Sequence, residues 1–103
     1  MDYRIIKSPS SGTVDMLFRR KGSASAIPLG SYDAVGLVQG RLIDMVFAAD
    51  IAEKAAGVVV EDIKGHCPQN LIMIAIFGDT ASVEAAIEEI QYKCNEQKTG
   101  EIR

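Results

Sequence analysis

The sequence has no tryptophan, a single histidine (His66), two cysteines and three prolines in 103 residues. Each shortage excludes something. Two cysteines are too few for a disulfide-stapled secreted scaffold, so a reducing, cytoplasmic setting is expected. A Ser-His-Asp triad would have to use His66, which makes a self-contained hydrolase an awkward reading. No apolar run approaches the roughly 20 residues of a membrane span. The start, Met1-Asp2-Tyr3-Arg4, lacks a basic stretch leading into an apolar one, so no secretory signal is expected. Cations are also short: eleven Lys and Arg against fourteen Asp and Glu leave a net charge of −3. The basic cluster Arg19-Arg20-Lys21 is small and has Asp15 close by, so nucleic-acid binding is not expected.

What is present suits one globular domain. Apolar residues make up 48% and charged residues 24%, and a chain of this length can bury a core without staples. Residues 3–8 read as a short strand, ended by Pro9-Ser10-Ser11-Gly12. Val14 to Arg19 reads as a second strand with Val14, Met16 and Phe18 on one face, although Leu17 breaks the polar side. Residues 21–32 read as a long connection. Ala34-Val35-Gly36-Leu37-Val38 reads as an interior strand, and Gly36 suggests close approach by a neighbouring element.

Arg41 to Ala56 reads as a helix, with Leu42, Met45, Val46, Ala49, Ala52 and Ala56 recurring every three or four residues. Gly57 stands where a left-handed cap belongs. Val58–Ile63 and Leu71–Phe77 read as strands, the second apolar enough for burial on both faces. Gly78-Asp79 opens a further helix with Asp79 as N-cap, and Val83, Ile87, Ile90 and Cys94 on one face. Asn95–Arg103 reads as a flexible tail. The predicted class is α+β: a mainly antiparallel sheet with two helices on one face.

Candidate chemistry concentrates between the last two strands. Cys94 reads as helix packing. Cys67 has no periodicity that makes it core, and sits among Lys64, Gly65, His66, Pro68, Gln69 and Asn70. An incidental loop thiol is one reading. A Cys67–His66 nucleophile is weak, because adjacent residues in an extended loop point apart. Zinc needs three or four protein ligands, and an iron–sulfur cluster usually needs four thiolates. One chain supplies neither, so a metal at Cys67 requires several chains meeting at an axis, or there is no metal. Pro68 restricts Cys67 to extended conformations, and Gln69 and Asn70 can donate hydrogen bonds to cluster sulfurs. Lys54, on the polar helix face, reads by itself as a solvated lysine.

Three stretches resemble bacterial microcompartment shell proteins with their BMC domain. They are Asp33-Ala34-Val35-Gly36-Leu37-Val38, Ala48-Ala49-Asp50-Ile51-Ala52-Glu53-Lys54-Ala55-Ala56-Gly57-Val58, and Gly78-Asp79-Thr80-Ala81-Ser82-Val83-Glu84-Ala85-Ala86. The resemblance covers about residues 33–90. A strand before this region, where typical members have one after the second helix, resembles the circularly permuted branch. It implies residues 1–12 as an N-terminal strand, with Arg4-Ile5-Ile6 able to join an axial barrel, residues 13–94 as the permuted shell domain, and 95–103 as tail.

The resemblance further implies a homohexamer that tiles with other shell proteins around encapsulated enzymes, in a cytoplasmic microcompartment shell. It implies no catalysis. Lys54 would then be a lattice contact between hexamers, and Lys64–Asn70 a pore loop passing small polar metabolites. Gly65-His66-Cys67-Pro68-Gln69 resembles the Gly-x-Cys-Pro-Gln motif of permuted shell proteins from glycyl-radical propanediol microcompartments. That similarity implies an iron–sulfur cluster of the [4Fe-4S] type, held by Cys67 and shared between subunits. Two other classes remain open: a small redox or metal-binding protein, and a regulatory ligand-binding domain of ferredoxin-like fold.

Overall fold

The computed structural model describes residues 1–20, 32–55, 57–64 and 71–96. Their elements run β1 (Asp2–Lys7), α1 (Ser11–Arg19), β2 (Ala34–Arg41), α2 (Leu42–Lys54), β3 (Val58–Ile63), β4 (Leu71–Gly78) and α3 (Thr80–Glu96). The strands form one antiparallel sheet in the order β1-β2-β4-β3. The expected α+β sheet with two helices on one face is present.

The apolar run of β4 explains the layering. Alternate residues of a strand face opposite sides. Ile74 and Ile76 enter the main core with Met45, Ala48 and Ala52 of α2 and Val83, Ala86, Ile87 and Ile90 of α3. Ala75 and Phe77 enter a smaller core on the other face with Leu17, Val35 and Ile63. Both faces of β4 are therefore covered, as its composition predicts.

The cover on the second face is a correction. Val14–Arg19 is helical, within α1, and is not a strand. Pro9 stiffens the approach, and the Ser10 hydroxyl then caps the helix by accepting the Thr13 amide at 3.2 Å. Val14, Leu17 and Phe18 recur at helical spacing; Leu17 and Phe18 pack on the sheet, and Val14 is half-buried. Leu17, which spoils the strand pattern, is the buried residue, and Met16 is exposed. Phe18 meets the edge of Phe77 with ring centroids 5.6 Å apart.

The strand expected at residues 3–8 is present as β1. Arg4-Ile5-Ile6 lies at the edge of the main sheet, registered against Leu37-Gly36-Val35 of β2, and half-buried Tyr3 packs on the main core.

Two glycines act as expected. A Cβ at Gly36 would lie 3.0 Å from Val83 Cγ1 and 3.1 Å from Ile87 Cδ1, so its absence lets α3 settle on the sheet. Gly57 has φ +81° and turns the chain from α2 into β3. Asp79 caps α3, its Oδ1 accepting the Ser82 amide at 2.7 Å. Its carboxyl is held below its ordinary value by the side-chain and then the backbone hydrogen bond from Ser82. The apolar face of α3 is as expected, with Val83, Ile87 and Ile90 buried and Cys94 packed beside them. Asn95 and Glu96, expected in the tail, continue the helix.

Helix α2 departs from its expected face. Met45, Ala48, Ile51 and Ala52 are buried, but Leu42 and Val46 are 56% and 63% exposed, and Ile43 between them is 73% exposed. The helix is apolar on two sides. One side is used by the core, which leaves the other exposed.

Candidate functional site: the two ends of the sheet

The register fixes where the candidate residues lie. β2 ends at Arg41 opposite Leu71, the first residue of β4, and Ile63 at the end of β3 stands opposite Met73. The connection from Lys64 to β4 therefore closes at the end of the sheet where α2 begins. Helix α2 then runs back along the sheet. At about 1.5 Å per residue, Lys54 lies about 18 Å along it from Leu42. Beyond Lys54 the chain turns into β3, whose first residue, Val58, stands opposite Gly78 at the far end. Lys54 and Lys64 thus lie at opposite ends of one domain.

At the first end, the Lys64 amide donates to the Arg20 carbonyl at 2.6 Å. This bond joins the end of β3 to the C-terminus of α1, and sequence reasoning missed it because α1 itself was read as a strand. Gly65, His66, Cys67, Pro68, Gln69 and Asn70 lie outside the described residues.

At the second end, Lys54 Nζ meets Asp50 Oδ2 at 2.7 Å, one turn back on the same helix, and both side chains are exposed. Together they line an open groove of about 720 Å³ between α2 and α3, with Phe47, Ala81, Ala85 and Lys93 on its walls. Next to it, Leu42, Ile43, Val46 and Phe47 line a second, more apolar depression. Its signal in the sequence is the doubly apolar surface of α2, which a single helical stripe does not account for.

Cys94 occupies a different setting. It is half-buried, and burial, followed by the nearby charge of Asp44, pushes its thiol up from the ordinary value. A raised thiol pKa disfavours the thiolate that metal binding and nucleophilic attack require. Tyr3 shares these neighbours: burial, then Cys94 and Asp44, raises its phenol, which donates to Met1 Sδ at 2.8 Å. Among the described residues no three His, Cys, Asp or Glu side chains converge to hold a metal ion. No helix among them is long and apolar enough to cross a membrane.

The model of the BMC domain matches residues 34–102, two thirds of the chain. The chain belongs to the BMC-domain family. The ligand-free GrpU microcompartment shell protein from Clostridiales bacterium 1_7_47FAA is 53% identical, with 98% of this chain and all of that one covered at a TM-score of 0.75. The ligand-free GrpU shell protein from Pectobacterium wasabiae is 38% identical, covering 87% of this chain and 99% of that one at a TM-score of 0.67. No curated protein sequence matches.

As a BMC-domain protein the chain is a structural component of a microcompartment shell and not an enzyme. The redox-protein and ferredoxin-like regulatory readings are not favoured by this assignment. The family builds shells by oligomerising, and an exposed apolar face on α2 is the kind of surface such assembly covers.

Proposed function

We propose that the protein is a circularly permuted shell subunit that forms a homohexamer, with the Lys64–Asn70 connection around a central pore and Lys54 at the outer edge. The observation that carries this reading is the separation of Lys54 and Lys64 to opposite ends of the sheet. A cyclic assembly needs one end of each subunit inward and the other outward. The permutation is supported by β1: it fills a sheet edge from the N-terminal side, ahead of the region matched by the BMC model. The permuted strand is then Asp2–Lys7, in place of the Val14–Arg19 stretch first expected. Lys54 meets the neighbouring hexamer, and other shell proteins complete the layer around encapsulated enzymes.

Cys67 gives the pore its character. A cluster there needs thiolates from several chains, since each contributes one at that loop. Cys94 does not compete, because its thiol is half-buried and pushed up. The donor set fits a thiolate-held [4Fe-4S] cluster shared between subunits. Such a cluster, when bound, supplies one-electron chemistry. Gln69 and Asn70 follow Cys67 closely in sequence and carry donors of the kind that tune a bound cluster; Gly65, His66 and Pro68 belong to the same proposed pore loop. Without a cluster the same opening passes small polar metabolites. The similarity of Gly65-His66-Cys67-Pro68-Gln69 to the glycyl-radical propanediol motif points to that class of microcompartment.

Anaerobic purification with iron and sulfide assays tests this. Broad visible absorption is expected in the wild type and in Cys94→Ser, and none in Cys67→Ser. Iron and sulfide retained by Cys67→Ser would overturn the assignment.

A further inference from the structure

We draw no further inference here: the strongest candidate, the exposed apolar face of α2 formed by Leu42, Ile43 and Val46, carries none because nothing in the structure shows what covers it.

Discussion

Lys54 and Lys64 stand at opposite ends of the same antiparallel sheet, and they use their charges differently. Lys54 is held by Asp50 at 2.7 Å on its own helix. Lys64 is held through its backbone, which leaves its ammonium free of the ion pairs formed among the described residues. The first arrangement holds an exposed ammonium against its own helix. The second ties the end of β3 to the end of α1.

Lys54→Ala should leave the subunit folded. The Lys54–Asp50 pair is exposed, and pairs of this kind contribute only about 0.3–0.5 kcal/mol. Thermal melting should therefore move by a degree or two at most, and native mass should be unchanged. Electron microscopy should show loss of extended layers. Dissociation of the hexamer itself would contradict the edge role.

Val46→Lys and Ala48→Lys separate assembly from folding on one helix. Val46 lies on the uncovered face, so its change should leave circular dichroism and melting close to wild type while reducing the assembled fraction. Ala48 is fully buried in the main core. A lysine there has neither space nor a partner and should unfold the domain. Equal loss of fold in both would place the apolar face of α2 inside the subunit core.

Gly36→Ala probes the seat of α3. The new Cβ would press on Val83 and Ile87 at 3.0 and 3.1 Å. Overpacking of this kind costs about 1–3 kcal/mol, partly offset by the reduced entropy of the unfolded chain. Denaturant melts should show a net loss that the added Val83→Ala change partly restores.

The Asp79 cap should give α3 an acid-sensitive start. Its carboxyl lies below its ordinary value of 3.8 in the folded chain. A depressed pKa contributes stability that is fully present above the unfolded value and is lost as pH falls through the folded one. Melting between pH 5 and pH 2 should therefore weaken more steeply in wild type than in Asp79→Asn. Parallel curves would show that the cap carries no such linkage.

Much of this was legible in the sequence. Val83, Ile87, Ile90 and Cys94 gave one helical face, Leu71–Phe77 gave a strand covered on both sides, and Gly36 and Gly57 marked a close approach and a turn. Two features were hidden by the same ambiguity of short apolar segments. Val14, Met16 and Phe18 alternate as a strand would, yet the Ser10 cap and the Val14–Leu17–Phe18 stripe made the segment helical. On α2, residues spaced three or four apart can be drawn through either side of a helix that is apolar on both. The core took Met45, Ala48 and Ala52, leaving Leu42 and Val46 outside. The Arg20–Lys64 bond joins residues far apart in the chain, and no local pattern encodes it.

The central claim is that the chains gather around an axis with Cys67 at its centre. Native mass spectrometry of anaerobically purified protein tests it most directly. The account predicts a particle of six chains of 11.1 kDa, carrying extra mass equal to one iron–sulfur cluster that disappears in Cys67→Ser while the six chains stay together. A monomer or dimer, or a hexamer whose added mass survives Cys67→Ser, would contradict it.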